Sequence, residues 1–133
     1  MSETAQISSG ETIEETTAFR PRFNSAGVLP CIAQDAATGD VLMLAWMNEE
    51  ALSATLSTGV MHYWSRSRAR LWKKGETSGA IQTVIELRID CDQDTLLARV
   101  EVTDRTNTCH TGRGDCFYRI VEGEGGTARL SKA

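Results

Sequence analysis

No apolar run in this chain approaches the ~20 residues that cross a bilayer. The N-terminus also lacks a basic stretch leading into an apolar core. Both absences predict a cytoplasmic chain without a membrane span or a secretory signal. Positive charge is not in excess either: 14 Lys and Arg stand against 18 Asp and Glu, a net −4. Such a balance excludes a polymeric nucleic acid as the expected partner. The imbalance has one address, because residues 1–18 hold Glu3, Glu11, Glu14 and Glu15 and no Lys or Arg. Residues 1–18 therefore read as a flexible acidic tail, 19–122 as the folded domain and 123–133 as a Gly-containing C-terminal tail.

Repeated βαβ units are missing, and so is any internal repeat. What is present is strand, strand, helix, then several strands. Val28–Gln34 and Val41–Met47 flank an Asp-Ala-Ala-Thr-Gly-Asp turn and predict a hairpin. Asn48 is placed to cap a helix with Glu49 and Glu50 in its first turn, and Gly59 to end it. Residues 60–65, 81–90, 96–102 and 117–121 read as further strands, with a long polar loop over 104–115. The expected class is α+β: a small mixed or antiparallel sheet with one main helix. So few helices leave sheet surface for a partner subunit to cover.

Only four cysteines occur: Cys31, Cys91, Cys109 and Cys116. In a reducing cytosol they read as thiols or metal ligands. Cys109-His110-Thr111-Gly112-Arg113-Gly114-Asp115-Cys116 puts two sulfurs and an imidazole on one loop, a credible soft-metal site. Cys91 would supply a third sulfur and leave a fourth position for water, the open form of zinc that lowers the pKa of water. His110 reads as an acid or base beside that site, with fourth-ligand and plain loop readings also open. His62, within Val60-Met61-His62-Tyr63-Trp64, is the other proton carrier, or else a packed and hydrogen-bonded histidine.

Asp90-Cys91-Asp92-Gln93-Asp94 alternates carboxylates. On an extended strand Asp90, Asp92 and Asp94 share one face about 7 Å apart, with Cys91 on the apolar side. Carboxylates so close invite a hard cation such as Mg²⁺. A solvated acidic rim is the alternative. Ser65-Arg66-Ser67-Arg68 is followed by Arg70, Lys73 and Lys74, then Gly75-Glu76-Thr77-Ser78-Gly79. Guanidiniums, hydroxyls and glycine-loop amides suit the phosphate of a small ligand. A solvated basic face is the plain reading.

Taken in order, these segments resemble the phosphoribosyl-AMP cyclohydrolases of histidine biosynthesis. The likeness covers about residues 19–122. It runs through Val41-Leu42-Met43-Leu44-Ala45-Trp46-Met47-Asn48, Tyr63-Trp64-Ser65-Arg66-Ser67-Arg68, Leu71-Trp72-Lys73-Lys74-Gly75-Glu76-Thr77-Ser78-Gly79, the Asp90–Asp94 motif, Cys109-His110-Thr111-Gly112 and Cys116-Phe117. The resemblance implies hydrolysis of the N1–C6 bond of the adenine ring of phosphoribosyl-AMP, giving the formimino-carboxamide ribonucleotide. It also implies an intertwined cytoplasmic homodimer using Zn²⁺ and Mg²⁺. Cys91 of one subunit would join Cys109 and Cys116 of the other around zinc, and Asp90, Asp92 and Asp94 would hold magnesium. Arg66, Arg68, Lys74, Glu76, Thr77 and Ser78 would lie near substrate phosphate or ribose. Thr108, Asp115 and Ala80 depart from the usual pattern without removing a ligand. A zinc-dependent nucleotide deaminase is a second expectation, weakened because no His-x-Glu pairs with Pro-Cys-x-x-Cys. A non-catalytic zinc protein that binds nucleotides is a third.

Overall fold

The computed structural model describes residues 12–132. Residues 1–11 of the expected tail, and Ala133, lie outside the described residues. The described remainder of that tail is tied down at its end. Ala18 is buried, and its carbonyl accepts a hydrogen bond from Gln93 Nε2 at 3.1 Å.

Four strands make the main sheet: β1 (Leu29–Asp35), β2 (Val41–Met47), β5 (Gln82–Ile89) and β6 (Leu96–Val102). Their order is β2-β1-β6-β5. β1 runs antiparallel to β2 and parallel to β6, and β6 antiparallel to β5. The sheet is thus mixed, as expected for this α+β chain. Period-2 patterning explains its buried face. Leu29, Cys31 and Ala33 of β1 and Leu96, Ala98 and Val100 of β6 are all buried in one core.

The helix α1 (Glu49–Thr58) follows β2 directly. Asn48 Oδ1 accepts from Ala51 N at 2.9 Å, satisfying one orphan donor of the first turn. Gly59 ends the helix in the left-handed region (φ 74°), and its N–H bonds the Thr55 carbonyl. Ala51, Leu52 and Thr55 form the buried face. α1 packs on β2, β3 (His62–Ser65) and β4 (Arg70–Lys73). β3 and β4 form a separate antiparallel hairpin. No helix among the described residues is long and apolar enough to cross a membrane.

Three local differences from the sequence reading matter for the site. The strand read over 60–65 runs from His62 and ends at Ser65 as expected, but a further strand, β4, begins at Arg70 after a turn with Ala69 at φ 49°. Arg66 and Arg68 are therefore turn residues. β5 ends at Ile89, so the acidic motif is a turn and not strand. Residues 123–133, read as a tail, contain β8 (Arg129–Lys132), which pairs antiparallel with β7 (Arg119–Glu122). Gly123 and Gly125, both at positive φ, make the reversal that the glycine content had suggested was merely loose.

Candidate active site

An open cavity of about 730 Å³ lies where β2, β4 and two loops converge. Met43, Leu44 and Ala45 of β2 contribute apolar lining. Ser65, Ser67, Arg68, Arg70 and the Lys73–Ser78 segment bring cations and hydroxyls. Asn107, Thr108, Cys109, His110 and Cys116 complete it. Two segments about thirty positions apart in sequence, one basic and one bearing thiols, thus face the same space.

The basic segment is shaped by Gly75. Its φ is +87°, and a Cβ there would sit 2.5 Å from Ile81 N and 2.6 Å from Ala80 C. Only glycine permits that approach. The Gly79 N–H bonds the Gly75 carbonyl at 2.8 Å and closes the loop. Lys74 is consequently turned inward. It is 7% exposed, and its Nζ donates to the Thr108 carbonyl at 2.5 Å. Desolvation lowers its pKa, while the nearby Cys116 and Cys109 sulfurs pull the other way.

The thiol loop is pinned at several points. Cys109 N–H bonds the Arg113 carbonyl at 3.0 Å, Gly112 N–H the Cys109 carbonyl at 2.9 Å, and Cys116 N–H the Leu42 carbonyl of β2 at 2.8 Å. Arg105 fastens the loop to the β1–β2 turn. Its Nε donates to the Gly114 carbonyl at 2.7 Å, and its terminal nitrogens reach Asp35 at 3.0 Å and Asp40 at 3.1 Å. Cys109 and Cys116 interact with one another, which splits their acidities. Desolvation works to raise Cys109, but the Thr111 hydroxyl (3.1 Å to Sγ), Cys116 and Lys74 outweigh it and hold its pKa below the ordinary value. Cys116 is pushed up to about 11, first by desolvation and then by Cys109.

The acidic motif gathers its carboxylates more tightly than a strand allows. Asp90 Oδ1 accepts from the N–H of Asp94 at 3.0 Å and of Thr95 at 3.1 Å, curling the chain back. Gln93 sits at φ 60°. Its buried amide accepts from Arg20 N at 2.7 Å and donates to the Ala18 carbonyl, bracing the turn against the N-terminal segment. Asp90, Asp92 and Asp94 each bring an oxygen within 4.8 Å of the others. Desolvation would raise the Asp90 pKa, but the two backbone N–H groups and its neighbours lower it. Asp94 is raised, chiefly by Asp92. Crowded carboxylates that force one of their number toward its protonated form suit a divalent cation.

Arg68, Lys74, Glu76, Thr77, Ser78, Cys109, His110 and Cys116 share the cavity. Arg66 does not line it; its guanidinium lies 4.3 Å from the centre of the Trp46 ring. His62 does not line it either. Its Nδ1 is 2.8 Å from the Val60 carbonyl, and its backbone N–H bonds Thr55 Oγ1. Cys91 is exposed, contrary to the apolar face expected on a strand, because the turn rotates it outward. Among the described residues the acidic triad is the only trio of His, Cys, Asp or Glu whose donor atoms meet. Cys91 therefore does not join Cys109 and Cys116 within one chain. The sequence reading missed Arg105 and Gln93, whose partners lie about seventy positions away and leave no local signal. It also passed over the Thr108 hydroxyl, which is buried and without a hydrogen-bond partner among the described residues.

The model of the family described as phosphoribosyl-AMP cyclohydrolase matches residues 43–118. That span contains the cavity lining, the acidic turn and all three candidate zinc cysteines. A protein of Brucella abortus (strain S19) named phosphoribosyl-AMP cyclohydrolase is 56% identical over 129 residues, covering 97% of this chain and 93% of its own length. One of Nitrobacter hamburgensis with the same name is 57% identical over 125 residues, covering 93% of this chain and 84% of its own.

Proposed function

The chain belongs to the phosphoribosyl-AMP cyclohydrolase family of hydrolases, and from that premise we propose that it opens the adenine ring of phosphoribosyl-AMP by hydrolysing the N1–C6 bond. The product would be the formimino-carboxamide ribonucleotide of histidine biosynthesis. The observation that carries the reading is the shared cavity: a thiol pair with His110 beside it, and a cluster of cations and hydroxyls within reach of the same ligand.

The donor sets fit the two metals the family implies. Cys109, held toward thiolate, and Cys116 offer the soft ligands zinc prefers. Asp90, Asp92 and Asp94 offer converging hard oxygens for magnesium. Cys91, exposed and apart from the pair, is assigned to the zinc site of a second copy in a homodimer. Exposed Phe117, Val121 and Leu130 support a covered surface in such an assembly. The chemistry zinc supplies in such a place is Lewis acidity toward water.

The chain's own groups then do the rest. Arg68 and Arg70, with Thr77 and Ser78, would hold substrate phosphate or ribose oxygens. Trp72 and the β2 residues line the apolar part of the cavity. His110, exposed at the cavity, would deliver a proton to N1 as the C6–N1 bond breaks. His62, held to the Val60 carbonyl, is assigned to packing instead.

The test is turnover of phosphoribosyl-AMP by the purified full chain, followed by ultraviolet spectrum and by ammonia assay, with and without chelator. The expected result is a chelator-sensitive spectral change without ammonia release. Ammonia release would make the protein a deaminase. Bound zinc with no turnover would leave only a nucleotide-binding zinc protein.

A further inference from the structure

We propose that Lys74 is a positioning residue for the thiol loop, holding Thr108 and the Cys109–Cys116 pair in place, and is not a contact for substrate phosphate. The proposal deepens the functional reading above and rests on it for the identity of the metal. Lys74 lines the cavity, yet it is 7% exposed, whereas Arg68 and Arg70 in the same lining are exposed. A cation meant for an incoming phosphate keeps its donors open to solvent. Lys74 instead spends one on a backbone carbonyl 34 positions away, at 2.5 Å. That carbonyl belongs to the residue immediately before Cys109.

The burial is built in. Met61 and Lys74 are joined through the Lys74 N–H at 3.0 Å, and the close approach at Gly75 fixes the turn that sends the side chain inward. The Thr108 hydroxyl bonds nothing among the described residues. Its side chain therefore does not anchor the segment, and the ammonium on its carbonyl does. Both Cys109 and Cys116 lie within electrostatic range of Lys74. Two sulfurs brought together as thiolates repel one another, and a buried cation beside them offsets that repulsion. Outer-shell groups of this kind change metal affinity by about 10- to 100-fold when removed.

The experiment compares the wild-type full chain with Lys74→Met, Lys74→Gln and Lys74→Arg. Zinc affinity is measured without substrate, by competition with a chromogenic chelator. Backbone amide exchange is measured on the metal-free protein, and KM and kcat on the zinc-loaded enzyme. Lys74→Met is expected to weaken zinc about 10- to 100-fold and to speed exchange at the Cys109 and Gly112 amides. Its KM for phosphoribosyl-AMP should stay within about twofold of wild type. Lys74→Gln can keep a donor for the Thr108 carbonyl while losing the charge, so it should still weaken zinc. Lys74→Arg, which keeps both, should bind zinc within about threefold of wild type. Wild-type zinc affinity in Lys74→Met and Lys74→Gln, with a raised KM, would overturn the proposal and return Lys74 to the phosphate. Should Lys74→Met fail to fold, equal zinc affinity in Lys74→Gln and Lys74→Arg would overturn it as well. Failure of the wild type itself to bind zinc would instead defeat the functional reading.

Discussion

Cys31 and Cys109 carry the same functional group into opposite chemistry. Cys31 lies at the centre of β1, fully buried in the core, and desolvation pushes its pKa up to about 12. Cys109 is held below its ordinary value by Thr111, Cys116 and Lys74 against the pull of desolvation. Cys31 should therefore resist alkylation in the native metal-free protein at about pH 8, while exposed Cys91 reacts. Rapid native labelling of Cys31 would contradict its burial. The same shift makes stability depend on pH. A folded-state pKa above the unfolded value favours the folded, protonated form, so the contribution is whole below about pH 9 and drains away toward about pH 12. Urea midpoints measured across that range should fall for the wild type and fall less steeply for Cys31→Ala. Some slope will remain from Tyr63, whose hydroxyl is raised by burial first and then by Cys31 and Cys116. At this scale the sequence was a good guide to chemistry and a poor one to surroundings. The motifs marked Cys109, Cys116 and the three aspartates, and Cys31, which no motif contains, lies in the core. That Cys91 turns outward depends on the Asp90 carboxylate capturing two downstream N–H groups, a choice alternation does not encode.

The secondary-structure elements were legible where hydrophobic period and caps agreed. β2 and β6 have their expected bounds, and α1 sits between Asn48 and Gly59 as its capping residues require. β4 was hidden because Arg70-Leu71-Trp72-Lys73 is short and basic, and reads as loop until it pairs with β3. β8 was hidden because its pairing partner, β7, supplies what its own sequence lacks. The long polar stretch 104–115 was seen as a loop, but not as an anchored one. Arg105 makes the difference, reaching Gly114, Asp35 and Asp40 together. Arg105→Ala should cost roughly 1–2 kcal/mol and speed amide exchange at Cys116, whose N–H bonds β2. Arg129→Ala is the control, since that side chain is 70% exposed and only pairs with Glu122 at the surface. Equal stability loss and unchanged exchange in the two variants would show that the Arg105 contacts do not order the loop.

The whole molecule separates its charges. Residues 1–18 hold four glutamates, leaving 14 acidic and 14 basic side chains in 19–133. Within that neutral remainder Arg68, Arg70, Lys73 and Lys74 line the cavity, while the carboxylates of the acidic motif form their own turn. Sequence suggested a partner subunit through the scarcity of helices and through the family resemblance. Exposed Phe117, Val121 and Leu130, and a Cys91 that does not meet the thiol pair of its own chain, are what the proposed second copy would cover and complete. The central claim is ring-opening hydrolysis at a thiol pair completed by the Cys91 of a second copy. It is tested most directly by mixing two inactive variants, Cys91→Ala and Cys109→Ala, after co-refolding or co-expression, and assaying phosphoribosyl-AMP turnover. Each variant alone should be inactive. The mixture should recover about a quarter of wild-type activity, since half of the random dimers would each carry one intact site of two. A mixture as inactive as its parents, although heterodimers have formed, would contradict the shared site.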